Sequence, residues 1–205
     1  MSDKAKIVNW GGLTLAVNDV IAGKASAGAG ENLSVPVKGT ATTTGTTSVL
    51  EDSAWGTLRT TVLQLTNFVV GTSGDDGNLA LGASLFTLPA GDLIVEQAVL
   101  KGALTADISV TTDTPEMGLG NVVATGVQAT LGAVDAGCEN IAGPFVATAV
   151  DGEDVDDGGA TESGLLVQAA DSHVVYLNVA DGWADVTAAG DVTFTGYVVL
   201  KYRMV

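Results

Sequence analysis

Between Ser84 and Ser109 the chain reads SLFTLPAGDLIVEQAVLKGALTADIS, and this stretch limits the fold more than any other. Pro89 fixes φ and has no amide hydrogen to give to a ladder, while Gly91 tolerates positive φ, so Leu88–Asp92 reads as a turn. Beyond it, Leu93, Val95, Val99 and Lys101 share one parity, and Ile94, Ala98, Leu100 and Leu104 share the other. Both parities are mainly apolar, which is the pattern of a strand covered on two sides. Glu96 and Gln97 interrupt it.

Other segments repeat with the same period of two. Leu58–Val70 sets Leu58, Thr60, Val62, Gln64, Thr66 and Phe68 against Arg59, Thr61, Leu63, Leu65, Asn67 and Val69. Its β-branched content marks it as a strand. Asp191–Val205 alternates most cleanly, with Val192, Phe194, Gly196, Val198, Leu200 and Tyr202 on one face and Thr193, Thr195, Tyr197, Val199, Lys201 and Arg203 on the other. This strand is expected to be paired inside a sheet. Shorter strands are expected over Leu79–Phe86, Met117–Thr125, Pro144–Val150, Gly164–Ala169 and Val174–Val179, with a turn around Trp55 and an exposed loop over Asp151–Ser163. No run of about 12 residues has a helical period, so the chain reads as all-β. The expected architecture is an antiparallel β-sandwich with jelly-roll topology, because connections of very different length suit Greek-key crossovers. Residues 1–50, with the Thr/Gly-rich stretch GTATTTGTTS, read as an extended N-terminal arm, and residues 51–205 as the sandwich.

Charge narrows the partners. The 205 residues carry a formal charge of −16, and the eight basic residues never cluster more closely than Lys201-Tyr-Arg203. Phosphate backbones and anionic lipid surfaces require concentrated cations, so neither nucleic acid nor a membrane surface is an expected partner. The N-terminus lacks an apolar leader, and no run approaches 18 apolar residues, so neither a signal peptide nor a membrane-spanning helix is expected. Cys138 is the single cysteine, so it can form neither an internal disulfide nor a structural zinc site, and its Asp-Ala-Gly-Cys-Glu setting should raise the thiol pKa.

Few residues invite a chemical reading. Asp151, Glu153, Asp154, Asp156 and Asp157 form the one candidate metal site, since calcium takes several hard oxygens from a flexible loop. The calcium-loop pattern fails, however, at Val155 and at its twelfth position, and a solvated acidic loop is the competing reading. His173, the single histidine, follows Asp171 and Ser172, but neighbours on a strand point to opposite faces and make poor triad partners. Gly23-Lys24-Ala25-Ser26 resembles the end of a phosphate loop, yet Asn18 stands where that pattern needs glycine. Neither a catalytic group nor a cofactor is expected. At the N-terminus, KIVNWGGLTL places Ile7, Val8, Trp10 and Leu13 in a short apolar segment. It is either an arm anchoring an interface through Trp10 or a segment packed on its own domain.

Three segments together resemble a known group. FTLPAG before a long apolar strand (Phe86–Leu100), the Met117-Gly-Leu-Gly120 strand, and HVVYLNVADGW…AAGDVTFTGYVVLKY (His173–Tyr202) are similar to the β-sandwich decoration (cement) and minor head proteins of tailed-bacteriophage capsids. Tyr176-Leu177-Asn178 and Gly196–Leu200 match the strands that end the domain in that group. The resemblance covers about Leu85–Tyr202. It implies a structural, non-enzymatic virion protein made in the host cytoplasm and placed on the capsid exterior. Its partner would be the major capsid protein, and it would act as a homo-oligomer, a trimer by preference, with the Trp10 arm as lattice contact. A jelly-roll shell subunit and a receptor- or carbohydrate-binding module would use the same kind of sandwich, and a glycoside hydrolase would need two converging carboxylates.

Overall fold

A computed structural model describes residues 7–10, 13–16, 40–41, 47–55, 57–73, 79–106, 114–146, 151–155, 164–181 and 190–205, with side chains over 57–72, 79–105, 114–146, 164–181 and 191–205. In chain order the strands are β1 (Ile7–Trp10), β2 (Leu13–Ala16), β3 (Thr40–Ala41), β4 (Thr47–Trp55), β5 (Leu58–Ser73), β6 (Ala80–Thr87), β7 (Leu93–Ala106) and β8 (Glu116–Gly120). After a short helix α1 (Leu131–Val134) and a 3₁₀ turn (Ala136–Cys138) come β9 (Ala142–Val146), β10 (Asp151–Val155), β11 (Leu165–Val167), β12 (Val174–Ala180) and β13 (Gly190–Met204). All pairings are antiparallel.

One sheet runs β10-β7-β13-β5-β4, with β11 also on β7, and the other runs β3-β6-β12-β8-β9. Setting aside β3, β4 and β11, the eight strands from β5 to β13 pair first with eighth, second with seventh, third with sixth and fourth with fifth. That is a long hairpin folded over itself into two four-stranded sheets, a jelly roll. β3 and β4 lengthen the two sheets at their edges, and β4 crosses the position-50 boundary. β1 and β2 form a separate hairpin, registered Ile7 to Ala16 and Trp10 to Leu13.

The core lies between the sheets, and β13 shows how the sequence builds it. Val192, Phe194, Val198, Leu200 and Tyr202 are all buried, as their alternation requires. Across the sheet they lie in rows with β5 and β7: Leu63–Val198–Leu100, Phe68–Phe194–Leu104 and Arg59–Tyr202–Val95. Gly196 pairs with Gly102 in this same inward register. A Cβ on Gly102 would come within 2.7 Å of the Gly196 Cα and 2.6 Å of the Phe194 ring, so both positions must be glycine for the strands to approach.

Strict alternation fails where a residue is inserted. In β7, Leu93 and Val95 are buried and so are Ala98, Leu100 and Leu104, so the inward parity changes between 95 and 98. The register steps from Lys201–Gln97 to Tyr202–Val95, which leaves Glu96 as the extra residue of a bulge. The strand is therefore not covered on both faces. Its two apolar parities are one inward face, read before and after an inserted residue. Glu96 turns outward and meets Arg203 at 2.9 Å.

β5 changes parity in the same way, from Leu63 and Leu65 to Phe68 and Val70. Asn67 stands at the change with φ of +48°, a left-handed conformation that asparagine tolerates, and its N–H donates to Thr195 Oγ1 at 2.9 Å. In β6 the extra residue is Leu85, which is why Leu85 and Phe86 are both buried.

Two further expectations are corrected. The turn around Trp55 is the end of β4, where Trp55 pairs with Leu58 and only residues 56–57 connect. The acidic loop begins as a strand: Asp151–Val155 pairs with Gly102–Thr105 and covers the outer edge of β7. Charged residues on such an edge discourage pairing with another sheet.

The Glu96 bulge gives a direct test. Glu96→Ala should lose only the exposed ion pair, at most about 1 kcal/mol. Deleting Glu96 should turn Leu93 and Val95 outward, at about 1.5–3 kcal/mol each. Urea unfolding of the two variants should therefore separate them by several kcal/mol, and equal midpoints would remove the bulge from the account.

Candidate functional site

The outer face of the β6-β12-β8 sheet carries the most elaborate polar arrangement in the described structure. Residues 121–141 leave β8, fold back over the sheet through α1 and the 3₁₀ turn, and return to β9. Beneath them a second apolar cluster of Ala80, Ala124, Leu131, Cys138 and Ala180 is buried. This segment, whose first residues were expected to extend the Met117 strand, is a roof.

Asn178 fastens the roof. It is fully buried on β12, its Oδ1 accepts from the Ala124 N–H at 2.9 Å, and its Nδ2 donates to the Val122 and Cys138 carbonyls at 3.0 and 2.7 Å. Gly82 on the neighbouring strand leaves the room this side chain needs: a Cβ there would collide with Asn178 Oδ1 and approach the Ala124 nitrogen to 2.9 Å. Gly120 lies close against the backbone of Gly137 and Cys138. Asn121 and Asn140 close the base of the roof, with Asn140 Nδ2 donating to Asn121 Oδ1 at 2.9 Å.

Acidic groups belong to the roof and its contact with the sheet as well. Glu116 Oε2 accepts the Leu131 N–H at 3.0 Å at the start of α1. Glu139 Oε2 is buried without a hydrogen-bond partner. Burial, and then the nearby charge of Glu116, raise the Glu139 pKa. Burial raises that of the Cys138 thiol too, helped by Asp135 and Glu139, as its sequence setting implied, so this cysteine is a packed apolar group and a poor nucleophile.

His173 joins two loops. Its Nδ1 lies 2.8 Å from the Pro89 carbonyl and its Nε2 3.1 Å from the Gln168 carbonyl, while the Leu88 N–H donates to the His173 carbonyl at 2.9 Å. The ring thus ties the Pro-Ala-Gly corner to the start of β12. Ser172 Oγ accepts from the Val174 N–H and Asp171 Oδ2 from the Gln168 N–H, so both neighbours serve their own turn. The three residues form no relay.

The other sequence candidates are only partly placed. Asp151, Glu153 and Asp154 lie on β10, with side chains outside the described residues, as are Asp156 and Asp157 altogether. Ile7, Val8 and Trp10 lie on β1 and Leu13 on β2; their backbones pair, and their side chains are likewise outside the described residues. Gly23-Lys24-Ala25-Ser26 is outside them too. Sequence reasoning gave Asn178 no role, although a lone asparagine in the apolar run VVYLNVA was the available signal.

No protein-family model matches the chain, and no curated protein matches it. Among solved structures, a chain of the Cyanophage Pam1 capsid asymmetric unit is similar at 17% identity, with 88% of this chain and 98% of that chain covered and a TM-score of 0.30. At that score the two backbones superpose too loosely for the likeness to bear on fold or role.

Two measurements test the roof. Asn178→Ala removes three hydrogen bonds and strands two carbonyls and an N–H, so it should cost about 3 kcal/mol or more in chemical denaturation. Glu139→Gln should raise the melting temperature at neutral pH. Folding lifts the Glu139 pKa above its ordinary value of 4.5, so the folded state holds the proton more tightly and loses stability as pH rises through that window. The gain from glutamine should therefore shrink as pH falls toward 4 and vanish below it. A gain that stays constant with pH would exclude the charge as its cause.

Proposed function

We propose that the protein is a structural component of a bacteriophage virion, a jelly-roll protein that binds the outside of the capsid lattice and cements or decorates it. The major capsid protein would be its partner, and the protein would work as a homo-oligomer, a trimer by preference. One observation carries the reading: the segments that resemble phage head proteins are joined to one another in the fold. Tyr176-Leu177-Asn178 lies opposite Gly120-Leu119-Gly118, Val175 lies opposite Phe86 of the FTLPAG segment, and His173 holds the corner that follows. Gly196–Leu200 occupies the middle of the other sheet.

These residues build and brace a sandwich. Gly118, Gly120 and Asn178 serve the roof, Gly196 admits the close approach of β7, and Pro89 with His173 sets the entry into β7 and β12. The shared pattern thus favours a rigid platform over a catalytic pocket, and a platform suits a protein that joins other subunits. The charge of −16 is compatible with a position outside the shell, where no contact with packaged nucleic acid is needed.

In this reading the β1–β2 hairpin, with Ile7, Val8, Trp10 and Leu13, is the lattice contact. Such arms contribute large contact area per residue when they order on binding. Mixing the purified protein with capsids lacking it, followed by sedimentation, tests the assignment. The full chain should travel with the capsids. A chain without residues 1–15 should keep its melting temperature and lose at least about tenfold in capsid affinity, equivalent to some 1.4 kcal/mol. Retention of full binding by the truncated chain would move the contact elsewhere, and failure of the full chain to bind would overturn the virion role.

A further inference from the structure

The two sheets are finished differently on their outer sides. Residues 121–141 roof the β6-β12-β8 sheet, whereas β5, β13 and β7 turn an array of half-buried and exposed side chains outward. Val62, Val199 and Val99 make one cross-strand row there, and Gln64, Tyr197 and Lys101 the next. Tyr197 is 47% exposed, Val69 farther along β5 46%, and Leu166 on β11 48%. Exposed apolar groups gathered on one sheet face are a common mark of a contact surface.

Charge sets the face apart from the opposite sheet and its roof. Lys101, Lys201 and Arg203 point outward here, while β6, β8, β9, β12 and the roof contain no lysine or arginine. Counted against Glu96 and Asp191, the outward residues of β5, β13 and β7 carry a net charge of +1, in a chain whose total is −16. The flanking strands are acidic, with Glu51 and Asp52 on β4 and Asp151, Glu153 and Asp154 on β10. Two copies approaching through the roofed sheet would oppose carboxylates to carboxylates. Through this one, Lys101 and Lys201 meet carboxylates of the neighbour, and the valine row and Tyr197 are covered.

We propose that the outer face of β5-β13-β7 is where a second copy of this chain docks, with Tyr197 and Val199 at the centre of the contact and Lys101 and Lys201 reaching carboxylates of the neighbour. The area is sufficient. Three strands of 14 to 16 residues, about 4.8 Å apart, give a footprint on the order of 700 Å². The flanking strands bring it near the roughly 800 Å² per partner of a stable protein interface. This gives the self-association in the proposed role a surface and rests on that part of it alone, since no capsid is needed for the contact to form.

The test is the light-scattering mass of the full chain, without capsids, over a range of concentration and salt. The wild type should exceed the mass of one copy, and added salt should shift it toward one copy. Tyr197→Glu should reduce it to one copy with an unchanged melting profile of the monomer, while Val146→Glu, at a still more exposed position on the opposite sheet, should leave it unchanged. Lys101→Glu with Lys201→Glu should weaken association at least tenfold. A wild type of one-copy mass at every concentration would overturn the proposal, as would a Tyr197→Glu protein that associates like the wild type. If wild type stays a single copy while Tyr197→Glu loses capsid binding, the face belongs to the capsid protein instead, and the second-copy docking is wrong.

Discussion

The ladder that β13 makes with β5 on one side and β7 on the other holds the rest of the structure in register. Its inward residues alternate without a break from Val192 to Tyr202, while β7 absorbs one inserted residue and β5 two to stay in step with it. Because a one-residue slip sends a strand's apolar set to solvent, that unbroken strand fixes which side chains of β5 and β7 reach the core. The other sheet is then placed by packing, with Leu81, Phe86, Met117, Leu119, Leu177 and Val179 completing one apolar cluster with the first.

What could be read in the sequence follows from this. The sandwich, its jelly-roll connectivity and the inward face of Asp191–Val205 were legible, because alternation over eleven or more residues survives local irregularity. The inward faces of β5 and β7 were not. Glu96, Asn67 and Leu85 each shift the period by one, and a shifted period looks like a strand apolar on both sides. Glu96 and Gln97 were the visible symptom: two polar residues in succession are what a bulge at the surface of a half-buried strand tolerates. The acidic start of β10 was read as a loop because its composition is that of one, yet the edge of β7 supplies the partner that composition cannot show.

The roof is legible only in hindsight of contacts. Nothing in the spacing of residues 121–141 says that they fold back over β12, since α1 has four residues and the segment has no regular period. Asn178 makes three of the hydrogen bonds that make the arrangement specific. An asparagine offers an acceptor and two donor hydrogens in fixed geometry, so it can hold three backbone groups that no apolar residue could satisfy. The polar residue in an apolar strand thus marks a covered face, and the glycines at 82 and 120 mark where the cover comes closest.

The place of β13 in the order of synthesis has a consequence for how the molecule is made. It is the last of the sandwich strands to be translated, and it belongs between two that were made more than a hundred residues earlier and some ninety residues earlier: the Asn67–Thr195 contact spans 128 positions and the Thr105–Thr193 contact 88. Until it arrives, β5 and β7 have no bond to each other and each shows an open edge to its surroundings. Such a sheet cannot grow strand by strand behind the ribosome. It can close only late, slowed by the long loops that must be drawn together.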